Sequence, residues 1–178
     1  MASHMNSVLL SGPLSNVKVI ETQYGSMVKG NLASVSINLN LDKNKEHEKN
    51  LLENIATSQS AYIYDGTLSS QQDKKDPQKI WHNINVSPSR IWLTNQQVEI
   101  INMAWIVGKV VQTNANWITV ACSYRVKEEW RNRILYVLGQ ADMTHTKNAT
   151  IIATGPVRPK YNGNWFTYVE AERIVVME

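Results

Sequence analysis

Two tandem five-stranded barrels, all-β except for one helix between strands 3 and 4 of the first, are the architecture this sequence predicts. Three observations lead there. β-branched and aromatic runs dominate, a single stretch carries a helical apolar face, and three short landmarks recur in the same order in each half. The 178 residues leave room for one medium domain or two small ones, and 43% hydrophobic with 19% charged residues is a folding composition. A β-sandwich spread over the whole chain is the alternative architecture.

Residues 1–5 read as a cloning scar that ends in the native Met5. An amino-terminal domain is then expected over 6–98 and a carboxy-terminal one over 99–178. The landmarks pair Val8-Leu9-Leu10-Ser11-Gly12 with Ala104-Trp105-Ile106-Val107-Gly108, and Tyr62-Ile63-Tyr64-Asp65-Gly66 with Ile151-Ile152-Ala153-Thr154-Gly155. The third pairs Arg90-Ile91-Trp92-Leu93 with Arg173-Ile174-Val175-Val176. The hydrophilic stretch from Ser69 to Pro77 accounts for the longer last interval of the first half, and insertions of that kind sit in loops.

Ser34 to Leu41 alternates polar and apolar strictly, the pattern of a strand with one buried face. Lys45 to Thr57 is the helix, with Leu51, Leu52 and Ile55 on one side and Lys45, Glu46, Glu48 and Lys49 elsewhere. In the second half, Trp117 to Tyr124 reads as a strand. The run Ile134-Leu135-Tyr136-Val137-Leu138 reads as a strand buried on both faces, and Tyr161-Asn162-Gly163-Asn164 as a hairpin turn. Five short strands per half, with a helix before the fourth, suit the oligonucleotide-binding (OB) type of small barrel.

Several segments resemble a known family. Glu128-Glu129-Trp130-Arg131-Asn132-Arg133-Ile134-Leu135-Tyr136-Val137-Leu138-Gly139 is similar to the third strand of bacterial single-stranded DNA-binding proteins. Ile152 to Tyr161 resembles that family's fourth strand with its basic, aromatic hairpin, and Tyr168 to Met177 its closing strand. Met5-Asn6-Ser7-Val8-Leu9-Leu10-Ser11-Gly12-Pro13-Leu14 resembles its opening. The related primosomal replication protein N family shares these features. The first half has no Trp-basic-apolar third strand, and the printed chain closes on Val175-Val176-Met177-Glu178 without the family's Gly-rich linker and acidic tip. The resemblance implies a tandem variant of that superfamily. Family tetramers carry four barrels, so a homodimer of this chain would supply the same number.

Binding an unpaired strand takes cations that follow phosphates and flat side chains on which bases stack. In the second half the candidates are Trp117, Tyr124, Arg125, Trp130, Arg131, Arg133, Arg158, Lys160, Tyr161 and Trp165. In the first they are Lys74, Lys75, Lys79 and Trp81, where Asp73 and Asp76 dilute the lysine pair, plus Tyr24 and Lys29. Trp105 reads as core, and Trp117 and Trp165 fit either role. A net charge of +3 makes any such surface local.

The sequence offers no HExxH or paired-His spacing and no phosphate-binding loop. The single Cys122 alternates with apolar residues, as a small buried hydrophobe does, so no disulfide can form within the chain. No enzyme activity, cofactor or metal is therefore expected. No apolar run approaches the roughly 20 residues of a membrane span, and Val8-Leu9-Leu10 is too short for a signal-peptide core. The expected partner is single-stranded DNA in the cytoplasm or nucleoid. RNA, a primosome-type accessory role, and a protein-interaction module without nucleic acid are the alternatives.

Overall fold

The computed structural model describes residues 5–72, 80–126, 128–139, 146–159 and 167–177; the side chains of 70–72, 80–82, 125 and 126 lie outside the description. By contact the chain divides into two compact units. An amino-terminal unit gathers Val8–Thr67 and Asn83–Asn102, and a carboxy-terminal unit gathers Met103–Glu178 with Met1–Ser7 and Leu68–His82. The expected hairpin turn at Tyr161–Asn164 lies outside the described residues.

The first half runs β1 (Met5–Thr22), β2 (Gly25–Leu32), β3 (Val35–Leu41), α1 (Glu46–Ile55), β4 (Ser60–Gln72), β5 (Ile80–Val86), a single 3-10 turn over Pro88–Arg90, and β6 (Ile91–Thr94). The alternation seen in the sequence buries Val35, Ile37, Leu39 and Leu41 on one face of β3, because successive strand side chains point to opposite faces. Ser34 does not join that strand. It and Ala33 have φ of 69° and 48° and make the two-residue turn that closes β2 onto β3, a mirror-image geometry that matches strand twist.

The helix falls where the sequence places it. Leu51 and Ile55 face the core, and Glu48 is buried beside them. The Glu48 carboxylate accepts the Asp42 N–H at 2.6 Å and pairs with Lys45 Nζ at 3.2 Å, so the buried acid in the first turn keeps its partners.

β1 pairs antiparallel with β2, β2 antiparallel with β3, and β3 parallel with β5. β5 lies beside β4, and β4 returns antiparallel to β1. β6 adds antiparallel to β4.

The second half runs β7 (Ile101–Asn114), β8 (Trp117–Val126), β9 (Glu129–Leu138), β10 (Thr150–Gly155), β11 (Val157–Arg158), β12 (Tyr168–Glu170) and β13 (Arg173–Met177). Its pairings repeat the first set: β7 with β8, β8 with β9, β9 parallel with β12, β7 with β10, and β10 with β13. The landmarks occupy matching places. Gly66 pairs with Val8 as Gly155 pairs with Ala104, and Ile91 pairs with Ile63 as Ile174 pairs with Ala153.

One irregularity separates them. From Val8 to Leu10 the partners run from Gly66 to Ile63, three positions against two, and Asp65 has φ of 57° there. An extra residue of this kind is a β-bulge, and the second half has no counterpart between Ala104 and Ile106.

Two expectations are refined. Where each half suggests five strands, the last is split into β5 and β6 in the first half and into β12 and β13 in the second, where a break at Pro156 also divides β10 from β11. The run Ile134–Leu138 is not buried on both faces. Leu135 and Val137 are fully buried, while Ile134 is 37% exposed and Tyr136 and Leu138 are half-buried. β9 belongs to an antiparallel ribbon that covers the core with one face only, which is the usual condition of such ribbons.

Candidate nucleic-acid interface

β8 and β9 form a ten-rung ribbon from Trp117 opposite Leu138 to Val126 opposite Glu129. Ile118, Val120 and Cys122 of β8, with Leu135 and Val137 of β9, put one face into the core. The ribbon then outruns the core. Glu129, Trp130, Arg131 and Asn132 are all exposed, so both faces meet solvent at this end.

Continued outward, the core-side face carries Tyr124, Arg131 and Arg133. The Arg133 guanidinium lies over the Tyr124 ring, 4.4 Å from its centroid, a cation–π contact across the ribbon. Arg131 reaches Glu129 on the same face at 3.2 Å. Exposed pairs of this kind contribute roughly 0–1 kcal/mol, so this one leaves the arginine able to exchange partners.

The opposite face carries Trp130, Asn132, Ile134 and Tyr136, with Trp117 and Leu138 at the near end. Trp130 is 70% exposed, and the Ser123 hydroxyl donates to Asn132 Oδ1 at 2.8 Å. Trp130 and Arg131, neighbours in sequence, thus stand on opposite faces of one ribbon. A strand lying along its edge or wrapping its end would meet stacking surface on one side and cations on the other.

Trp117 is half-buried and meets the buried Tyr168 edge-on at 5.1 Å, which ties β8 to β12. Arg158 on β11 is exposed and donates from Nε to Glu170 at 2.7 Å. Arg125 faces Trp130 in register, though its side chain is outside the described set. Lys74, Lys75, Lys79, Lys160, Tyr161 and Trp165, and the side chain of Trp81, also lie outside it. Trp105 is half-buried on β7.

Sequence spacing alone did not single out the Tyr124–Arg133 contact. The two residues lie on adjacent strands, one diagonal apart, and only the register reveals them.

Burial pushes the Cys122 thiol up to about 12, partly offset by the charge of Arg133, and its Sγ donates to the Val107 carbonyl at 3.5 Å. A thiol so placed is packing material. Among the described residues no group of three or more His, Cys, Asp or Glu could hold a metal ion, and no helix is long and apolar enough to cross a membrane.

Long antiparallel ribbons, a parallel return onto the third strand in each half and, in the first half, a helix ahead of the fourth define a mostly β protein with an OB-like fold. The chain is similar to the crystal structure of a deletion mutant of the single-stranded DNA binding protein from Thermus aquaticus, with a TM-score of 0.71 and 16% identity, over 100% of this chain and 97% of that one. A second solved structure, described as "Structural mimicry for functional antagonism", overlaps at a TM-score of 0.25 with 10% identity and carries no weight. No protein-family model matches the sequence, and no curated protein matches it.

Proposed function

We propose that this protein binds single-stranded DNA without sequence preference, by base stacking and phosphate contacts, and shields it during replication, recombination or repair. The observation that carries the reading is the β8–β9 ribbon. It holds a 70% exposed tryptophan and a tyrosine-seated arginine beyond the core, on a fold similar to that of a single-stranded DNA binding protein. Stacking on such rings is worth roughly 1–3 kcal/mol per base and suits any base, since each has a π-face.

In this reading each unit is a small barrel, supported by strand pairings that return to β1 in the first and, through β10 and β11, to β7 in the second. Two copies of the chain would then bring four barrels together. The protein is a binding protein rather than an enzyme, and it acts in the cytoplasm on the nucleoid.

Titration with poly-dT tests this. Tryptophan fluorescence should be quenched at low salt, and affinity should fall as salt rises, since bound cations displace counterions from the strand. Absence of quenching at low salt would remove the proposal. Matched RNA oligomers binding more tightly would move it to an RNA-binding role, because only a contact to the 2′-hydroxyl separates the two sugars.

A further inference from the structure

The amino-terminal unit carries an aromatic cluster that the ribbon does not use. On β4, Ala61 and Ile63 are fully buried, which turns Tyr62 and Tyr64 to the outer face. On β6, Ile91 is buried and Trp92 faces outward, paired in register with Tyr62. Trp92 is 67% exposed and Tyr62 40% exposed. Tyr64 meets Trp92 edge-on at 6.1 Å, and its hydroxyl donates to the Ser89 carbonyl at 2.8 Å, which fixes the ring. Arg90, at the end of the 3-10 turn, sets its guanidinium 5.1 Å from the Tyr64 centroid.

We propose that Tyr62, Tyr64, Arg90 and Trp92 form a second stacking platform for an unpaired nucleic-acid strand, so that the amino-terminal unit binds through the outer face of β4 and β6. The proposal rests on the function above and adds where its first half takes hold. Two features argue for a nucleobase. The β8–β9 ribbon likewise exposes a tryptophan and seats an arginine on a tyrosine, there on opposite faces, whereas here Trp92 itself meets the tyrosine that carries the arginine. The cluster also sets a cation against exposed rings, which complements phosphate and gives bases a flat seat.

Photo-crosslinking with an oligo-dT that carries 5-iodouracil at several positions gives the direct reading. Crosslinked peptides are expected at Trp130 and again at Trp92 or Tyr62. Trp92→Ala should remove the second crosslink, weaken binding of a long oligo-dT about tenfold and shorten the length of strand covered per chain. Trp92→Phe should restore part of each. Arg90→Gln should lower affinity and make it less sensitive to salt.

Crosslinks confined to the carboxy-terminal unit, with affinity unchanged in Trp92→Ala and reduced in Trp130→Ala, would overturn the inference and leave the function standing. A change of mass in Trp92→Ala by sedimentation, with DNA binding intact, would also overturn it, because the face would then serve a second copy of the chain. Failure of the wild-type chain to bind oligo-dT at low salt would remove both.

Discussion

Where β8 sets Cys122 opposite Arg133, the rung at the same count from the hairpin in the amino-terminal unit sets Gly30 opposite Ile37. Two residues further out, Tyr124 and Arg131 are matched by Leu32 and Val35. The ribbons can be compared because each follows a two-residue hairpin, Thr22 with Gly25 in one and Asn114 with Trp117 in the other. In the β2–β3 ribbon these outer positions are buried, and the chain turns at once through Ala33-Ser34. The β8–β9 ribbon continues for two more rungs, and one of them carries Trp130. Positions at the same count from the hairpin thus serve as core in one unit and as solvent-facing cation and ring in the other. A shared strand frame leaves the surface free to diverge wherever a ribbon is longer than the core beneath it.

Exchanging the two kinds of residue should break this comparison most sharply. Ile37→Arg would place an unpaired charge at a site 1% exposed, and a loss of roughly 4 kcal/mol or more in urea unfolding is expected. Arg133→Ile should stay within roughly 1 kcal/mol of the wild type in the same measurement. Equal losses would show that the outer end of β8–β9 is core after all.

Trp130→Ala is expected to lower poly-dT affinity by roughly 1–3 kcal/mol without moving the melting temperature, because the indole contributes little to the core. Titration and thermal melting together check this.

The hairpin positions offer a further contrast. Gly25, with φ of 149°, has the Leu41 carbonyl where a Cβ would stand, whereas its counterpart Trp117 carries a full side chain. Gly25→Ala should cost roughly 1–3 kcal/mol through strain and that clash, read by denaturant unfolding.

Smaller effects sharpen the picture. Arg131→Gln should make the slope of log affinity against log salt shallower by about 0.7, the contribution of one phosphate contact to a single strand. Because burial raises the Cys122 pKa to about 12 from an ordinary 9.0, the folded state holds the thiol proton where the unfolded chain has lost it. Its contribution is full below the ordinary value and fades as pH rises toward the folded one. Thiol reagents at pH near 8 should therefore label Cys122 only after unfolding.

Much of this fold was legible because it is written in short-range pattern. Alternation from Val35 to Leu41 located β3, the spacing of Leu51 and Ile55 located α1, and the landmarks Gly66 and Gly155 located equivalent pairings in the two halves. The run Ile134–Leu138 misled on burial, since five apolar letters in a row look alike whether one face is covered or two. At the candidate interface, Trp130 stood out between charged neighbours. The Tyr124–Arg133 and Tyr64–Arg90 contacts did not, because register and turn geometry bring those rings and cations together.

The sequence by itself marked the alternating strand β3, the helix α1 and the landmarks that recur in each half, because those are set by periodicity and local sterics, while it read Gly25 to Gly30 as a turn where β2 runs. Only the tertiary structure decided which rungs are covered. Burial depends on what packs beneath a strand, and so Ile37 became core while Arg133, at the same count from its hairpin, came to rest on a tyrosine.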